Sequence, residues 1–278
     1  MEVIATKAEV RRTLRGKGKP VVLVPTMGAL HEGHLSLIRR AREIAGAEGT
    51  VAVSIFVNPI QFDRASDLEA YPRPMESDLA ACRAEGVDVV FAPGAGEMYE
   101  ADRSVTVTES VLSKDLCGAA RPGHFDGVCT VVLKLFLITG CDAAVFGEKD
   151  FQQLAVIRRM VRDLDVPVEI IAHETVREQD GLAMSSRNVR LTPEHRAAAP
   201  RIRFALAAAR NSHSRDAREI IGIARREITA SHPTHIDYLQ LVDGETLHPV
   251  ETVERPATLA AAVFYGDVRL IDHITILP

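Results

Sequence analysis

Val21-Val22-Leu23-Val24-Pro25-Thr26-Met27-Gly28-Ala29-Leu30-His31-Glu32-Gly33-His34 opens as an unbroken apolar run and ends in a glycine-punctuated turn. From His34 to Ala45 the apolar residues fall at helical spacing, through Leu35, Ile38 and Ala41, and Gly46 closes the run. A short continuous apolar strand followed directly by an amphipathic helix is the repeating unit of a parallel sheet covered on both faces. The same alternation recurs downstream. Val51–Val57 is a second strand, stopped by Asn58-Pro59, and Met75–Glu85 reads as a helix ended by Gly86. Val87–Phe91 is a third strand, Phe125–Thr139 a helix, Ala143–Phe146 a fourth strand, Phe151–Leu164 a helix and Val168–Ala172 a fifth strand. This half of the chain is therefore expected to be α/β, with a Rossmann-like parallel sheet.

The pattern changes after about Val176. Polar residues 177–190 lead into Thr192-Pro193-Glu194, a helix start with proline in its first turn. Two helices, about Pro193–Ala209 and Arg215–Ala230, precede strands near Ile236–Val242, Ala257–Phe264 and Val268–Ile276. Helices followed by strands predict a small α+β domain. The boundary is placed near 175, giving residues 1–175 and 176–278.

Composition narrows the function. With 33 Lys plus Arg against 38 Asp plus Glu, the chain carries a formal charge of −5, and it has no tryptophan. That is a poor surface for a phosphate backbone or for stacked bases, so no nucleic-acid partner is expected. Cys82, Cys117, Cys129 and Cys141 form no C-x-x-C pair and read as small buried hydrophobes. The first residues lack a basic region followed by an apolar one. The most apolar long window, Val128–Phe146, contains Lys134 and Asp142 and reads as a buried helix plus a strand. The expectation is a cytoplasmic protein with no membrane partner.

Ligands of parallel sheets bind at the carboxyl ends of the strands, and the chemically informative residues lie there. His31 and His34 follow the first strand at a helix start, where imidazoles join backbone N–H groups to suit phosphate oxygens. Alone, an H-x-x-H string is more often a helix cap and a solvated first-turn residue. Asn58 and Gln61 follow the second strand with amides suited to a small polar substrate. Lys149 follows the fourth strand as a point charge for phosphate, Asp150 is placed as a helix cap, and Gln153 falls in the next helical turn. Ser185, Ser186 and Arg187 follow the fifth strand in a polar loop read as flexible, with hydroxyls and a guanidinium for a leaving pyrophosphate.

Together these segments are far more specific than any one of them. His31–His34 (HEGH) and Met184–Arg187 (MSSR) correspond to the HIGH and KMSKS signatures of adenylyl-transferring enzymes. The fuller strings are Met27–His34 (MGALHEGH), Phe56–Phe62 (FVNPIQF), Arg121–Gly127 (RPGHFDG), Gly147–Gln153 (GEKDFQQ) and Asp180–Asn188 (DGLAMSSRN). They closely resemble the pantoate–β-alanine ligase (pantothenate synthetase) family over residues 20–195.

The resemblance implies a Rossmann-like nucleotidyltransferase domain, a small second domain acting as a lid, and a homodimer. It implies a two-step reaction. ATP and pantoate give pantoyl adenylate and pyrophosphate, and β-alanine then gives pantothenate and AMP. The ATP positions it implies are Met27, Gly28, Ala29, Leu30, His31, Glu32, Gly33, His34, Gly147, Glu148, Lys149, Asp150, Val176, Met184, Ser185, Ser186 and Arg187. Gln61 and Gln153 hold the pantoate positions, with Gln61 also near β-alanine, and Asn58 is counted with them as substrate-binding. His34 holds the family's proton-donor position, and His31, Lys149 and Arg187 complete the catalytic set. Mg²⁺ is expected with the triphosphate, held by phosphate oxygens and water rather than by protein ligands. Ser77 stands in a stretch, Pro72–Asp78, where relatives often carry more acidic residues, and Arg187 stands where the wider superfamily has lysine. The rival reading is another adenylyl- or cytidylyltransferase of the same superfamily.

Overall fold

The computed structural model describes residues 1–63 and 65–278. In chain order the elements of the first part are β1 (Glu2–Ile4), α1 (Lys7–Arg15), β2 (Val21–Thr26), α2 (Glu32–Ala45), β3 (Thr50–Ile55), a 3₁₀ turn (Pro59–Gln61), α3 (Ala65–Glu69), α4 (Met75–Ala84), β4 (Val89–Phe91), α5 (Ala95–Met98), α6 (Cys117–Ala120), α7 (His124–Thr139), β5 (Ala143–Gly147), a 3₁₀ turn (Glu148–Asp150), α8 (Phe151–Asp163) and β6 (Glu169–His173). The second part holds a 3₁₀ turn (Asn188–Arg190), α9 (Pro193–Ala198), α10 (Arg201–Arg210), α11 (Ala217–Thr229), β7 (His235–Asp243), β8 (Ala257–Tyr265) and β9 (Val268–Ile276).

The chain divides into two compact units. One comprises residues Met1–Ser110, Arg121–Glu148 and Gln153–Glu174; the other comprises Val111–Ala120, Lys149–Gln152 and Thr175–Pro278. The first is built on a six-stranded sheet, ordered β1-β4-β3-β2-β5-β6, with every pairing parallel. The expected parallel α/β sheet is therefore present. The apolar runs are strands because both faces are covered: Val21–Val24 and Val51–Val53 are at most 1% exposed. β1 adds a short edge strand that the alternation does not announce. Only Ile4 of its three residues is buried, which leaves no apolar run to read.

The sheet reverses direction of growth at β2, with β3 on one side and β5 on the other. β5 pairs with β2 only at Val22 and Leu23, so the two strands part before their carboxyl ends. Pro25, two residues on, has no N–H to offer a ladder. A parting of neighbouring strands at such a reversal is where doubly wound sheets hold ligands. The apolar stretch Val128–Phe146 is the buried helix α7 running through the left-handed Gly140 into β5, as expected. No helix among the described residues is long and apolar enough to cross a membrane.

The second unit contains an antiparallel sheet, β7-β8-β9, whose apolar side packs with residues of α10 and α11, among them Ile202, Leu206, Ile220 and Ile228. The reading Pro193–Ala209 as one helix is corrected: α9 stops at Ala198 and α10 starts at Arg201. Pro200 is the cause. Proline lacks the N–H of a continuing helix and crowds the preceding turn, so the chain restarts with Pro200 as the cap of α10. Of the cysteines, Cys82, Cys129 and Cys141 are buried, as read. Burial pushes their thiols up to about 11, 12 and 11. Cys117 departs from the reading, being half-exposed with its sulfur 3.2 Å from the Tyr238 hydroxyl.

Candidate active site

The turn after β2 is held from three directions. The Thr26 hydroxyl donates to the Ser54 carbonyl at 2.8 Å and accepts the Gly28 N–H at 3.2 Å. Gly28 and Ala29 both take left-handed backbone, with φ of 83° and 51°. The N–H groups of Ala29 and Leu30 then donate to the two carboxylate oxygens of Asp78, at 2.9 and 2.8 Å.

This turn delivers His31 as the N-cap of α2. Its Nδ1 accepts the Gly33 N–H at 3.1 Å, and Nδ1 of His34 accepts the His31 N–H over a longer 3.4 Å. An imidazole nitrogen that accepts cannot carry the proton, so the neutral rings carry it on Nε2. The ring centroids are 4.2 Å apart. His31 is thus both the helix cap and one half of a pair of Nε2–H donors, at the helix end where backbone dipoles favour an anion. Glu32, in the same first turn, is exposed and ion-pairs with Arg39.

The segment after β3 is anchored by Asn58. Asn58 is 1% exposed, and its amide is fully engaged. Nδ2 donates to Gln61 Oε1 at 2.9 Å and to the Gly127 carbonyl at 3.1 Å, while Oδ1 accepts the Tyr99 hydroxyl at 2.7 Å. Burial pushes the Tyr99 phenol up to about 12, which keeps it a donor. Gln61 in turn donates through Nε2 to the Met27 sulfur at 3.1 Å. So Met27, Asn58 and Gln61 are brought together, with Asn58 holding the Gln61 amide oxygen.

The RPGHFDG string explains itself here. His124 Nδ1–H donates to the Gln61 carbonyl at 2.8 Å, and its other nitrogen lies 3.2 Å from Arg121 Nη1. Arg121 also reaches Asp63 at 3.3 Å. Gly127 lies so close to the Gln61 turn that a Cβ would stand 2.5 Å from the Ile60 carbonyl oxygen. Tyr99, His124 and Asp78 are the supporting residues that reading the sequence misses. His124 and Asp78 lie in stretches singled out above, Arg121–Gly127 and Pro72–Asp78, but nothing in their spacing reveals their partners, and Tyr99 lies in neither.

Gly147 ends β5, opposite His173 of β6. Glu148 follows it in the first unit, and Gln153 lies half-buried in the first turn of α8. The neighbouring Gln152 does something else. It is 3% exposed, accepts the Cys117 N–H at 2.9 Å and donates to the carbonyls of Leu112 and Asp115, each at 2.8 Å.

The remaining candidates belong to the second unit: Lys149, Asp150, Val176, Met184, Ser185, Ser186 and Arg187. Lys149 is half-buried, with Nζ 3.8 Å from the exposed Asp150 carboxylate. The loop read as flexible is instead tied down. The Met184 N–H bonds to the Val176 carbonyl at 3.0 Å, and Arg177 bridges to Ala183. Asn188 donates to Glu178 at 2.7 Å and to the Ala183 carbonyl at 3.1 Å, and Arg196 pairs with Glu178 and Asp180 at 2.5 and 2.6 Å. Polar residues make a fixed loop when, as here, their side chains bond back to the loop's own backbone. The Arg187 N–H donates to the Ser185 hydroxyl at 3.2 Å. Among the described residues no group of three or more His, Cys, Asp or Glu side chains stands where it could hold a metal ion.

A family model described as pantoate-beta-alanine ligase matches residues 2–275 of this chain. The chain belongs to the pantoate–β-alanine ligase family. Its activity is that of the family, the joining of pantoate to β-alanine. The pantothenate synthetase of Akkermansia muciniphila is 54% identical over 99% of both chains. That of Thermotoga petrophila is 49% identical, covering 98% of this chain and 99% of the relative. Among solved structures, the pantothenate synthetase of Thermus thermophilus superposes with a TM-score of 0.93 at 45% identity, with both chains fully covered. The pantoate-beta-alanine ligase of Francisella tularensis, crystallised with β-γ ATP and β-alanine, gives 0.82 at 32% identity, covering 99% of this chain and 97% of that one.

Proposed function

We propose that this ligase works in two steps on ATP, with a pantoyl-adenylate intermediate. In the first, a pantoate carboxylate oxygen attacks the α-phosphorus of ATP, the bond to the bridging oxygen breaks, and pyrophosphate leaves. In the second, the neutral amine of β-alanine attacks the acyl carbon, the acyl C–O bond breaks so that AMP leaves with the bonding pair, and the nitrogen gives up one proton to solvent to become the amide. The observation that carries this reading is the pair His31 and His34, both with Nδ1 engaged by backbone donors at the start of α2. Two neutral Nε2–H donors beside a helix N-terminus suit oxygens that gain charge as pyrophosphate departs.

ATP is assigned to Met27–His34, Gly147–Asp150, Val176 and Met184–Arg187. His31, His34, Lys149 and Arg187 stabilise the departing phosphates. Gln61 and Gln153 read the pantoate hydroxyls and carboxylate, and Asn58 fixes Gln61. No protein nucleophile is required, because the acyl group is activated by the nucleotide. Magnesium enters with the triphosphate, held by phosphate oxygens and water. The acid nearest the turn, Asp78, has both oxygens engaged by backbone N–H groups, which fits a metal carried by the nucleotide. The reading places the enzyme in the cytoplasm as a homodimer, as the family resemblance implies; sedimentation velocity tests the latter.

The deciding experiment is product analysis. ATP, pantoate and β-alanine should give AMP and pyrophosphate, and pyrophosphate should appear with pantoate alone in a single turnover. ADP and phosphate as the nucleotide products would overturn the reading.

A further inference from the structure

We infer that Asp78 is a positioning residue for adenylate formation: its carboxylate sets the His31–His34 pair by holding the backbone of the turn before it. This rests on the assignment of the two histidines to the ATP phosphates.

The turn from Gly28 to Leu30 is not a conformation the chain adopts unaided. Ala29 has φ of 51°, a left-handed backbone that is strained for a residue with a Cβ. Such a residue persists only where its surroundings determine it. Asp78 is 2% exposed and accepts the N–H groups of Ala29 and Leu30, the two that flank the left-handed step, at 2.9 and 2.8 Å. A carboxylate offers two acceptor oxygens at fixed separation, and here each takes one N–H. The next residue is His31, whose own N–H and Nδ1 make the two bonds that set the ring tautomers. A change in the direction of the turn therefore moves both rings.

The surroundings show why another side chain would not substitute. A Cβ at Gly28 would stand 2.9 Å from Asp78 Oδ2, so the carboxylate and the glycine backbone fit each other closely. Asp78 also lines a cavity of about 370 Å³ together with Met27, Gly28 and Met75. Were the carboxylate lost, water could enter from that cavity, solvate the two N–H groups and release the turn. Asp78 lies in the first turn of α4, with Glu76, where the sequence shows only an ordinary acidic helix start.

The test is the rate of each half-reaction in Asp78→Asn. An amide keeps one acceptor oxygen but turns an NH₂ group toward the other N–H, which breaks one bond of the two. Pyrophosphate release in a single turnover should fall on the order of 10²-fold, as for a small displacement of a catalytic group. Pantothenate formation from preformed pantoyl adenylate should stay within a few-fold of wild type. Asp142→Asn is the control. Asp142 also accepts a backbone N–H, that of Val21 at 2.7 Å, but at the amino end of β2. It should lose stability and leave both half-reactions unchanged. Equal slowing of the two halves by Asp78→Asn, or none, overturns the proposal if His31→Ala and His34→Ala do slow adenylation. If those two variants leave adenylation intact, the histidine assignment falls, and the inference with it.

A measurement on the wild-type enzyme stands apart from any folding defect. The amide hydrogens of Ala29 and Leu30 should exchange slowly, as groups bonded to a buried carboxylate do, and nitrogen shifts of His31 and His34 should report the Nε2–H tautomer. Rapid exchange at both amides overturns the proposal.

Discussion

Arg177 grips the carboxylate of Asp272 with both terminal nitrogens, at 2.7 and 2.9 Å, and Nη1 also donates to the Gly181 carbonyl at 3.0 Å. One guanidinium thus ties β9 to the loop that carries Met184–Arg187. Asp272 is 6% exposed. Removing Arg177 leaves a buried carboxylate without its cation, held among the described residues only by the His273 N–H at 2.8 Å, a loss of about 3–5 kcal/mol for buried pairs. Arg177→Ala should therefore lower stability in urea denaturation and raise the KM for ATP. Adding Asp272→Ala should recover part of the stability, because no charge is then stranded. A double variant whose loss equals the sum of the single losses would deny the coupling.

Gly127 is the second point where one atom matters. Its Cβ in Gly127→Ala would fall 2.5 Å from the Ile60 carbonyl oxygen and 2.6 Å from the Gln61 Cα. Backbone cannot yield as a flexible side chain does, so the Pro59–Gln61 turn must shift. Overpacking of this kind typically costs about 1–3 kcal/mol. The variant should raise the KM for pantoate while leaving ATP binding, measured by calorimetry, close to wild type.

The adjacent glutamines of GEKDFQQ should behave oppositely. Gln152→Ala strands the Cys117 N–H and removes the donor to two carbonyls, so thermal stability should fall, by about 1–3 kcal/mol for the stranded N–H alone. Gln153→Ala should melt near wild type but lose about 10–100-fold in kcat/KM for pantoate, the worth of a lost hydrogen bond to a charged group. Unchanged pantoate kinetics in Gln153→Ala would remove that residue from the substrate's contacts.

What could be read from the sequence, and what could not, divides along a physical line. Strands β2–β5 and their helices announce themselves because a doubly covered sheet demands continuous apolar runs, whereas the edge strand β6, with no buried residue, is legible only through its β-branched pair Ile170-Ile171. The motif residues are visible because they sit at the ends of those runs. Pro200 is visible too, but the Ala-rich periodicity around it masks the break it imposes. The supporting contacts are of another kind. That Asn58 bonds Tyr99 and Gly127, residues 41 and 69 positions away, is a tertiary fact with no local pattern. The same holds for Asp78, and for Val111–Ala120 clustering with the second unit.

His273 gives a dependence on pH. Its ring lies 5.0 Å from that of Phe151, Nδ1 is buried without a hydrogen-bond partner among the described residues, and burial lowers its pKa below the ordinary 6.5. The native chain therefore resists a proton that the unfolded chain accepts. This stability is fully present above about pH 6.5 and falls as the pH drops toward the lowered native value. His273→Phe keeps a ring against Phe151 and removes the titration. Between pH 7 and pH 5 its unfolding free energy should decline less than that of the wild type, and an identical decline would exclude His273 as the source.

Arg187 separates the two chemical steps. The first step drives charge onto a departing pyrophosphate, whereas the second releases AMP from an anhydride already formed. A guanidinium assigned to the pyrophosphate should stabilise only the first transition state, so its loss should lower kcat for adenylation more than it weakens ATP binding. Removing one well-placed donor typically costs on the order of 10²–10³ in rate. Arg187→Ala should thus release pyrophosphate slowly from ATP and pantoate, yet convert supplied pantoyl adenylate and β-alanine to pantothenate near the wild-type rate. Arg187→Lys keeps the charge but not the forked donor, and should fall between the two. Single-turnover measurement of each half-reaction decides the matter. If both halves slow equally in a variant with an unchanged melting temperature, Arg187 organises the site as a whole rather than serving the leaving group.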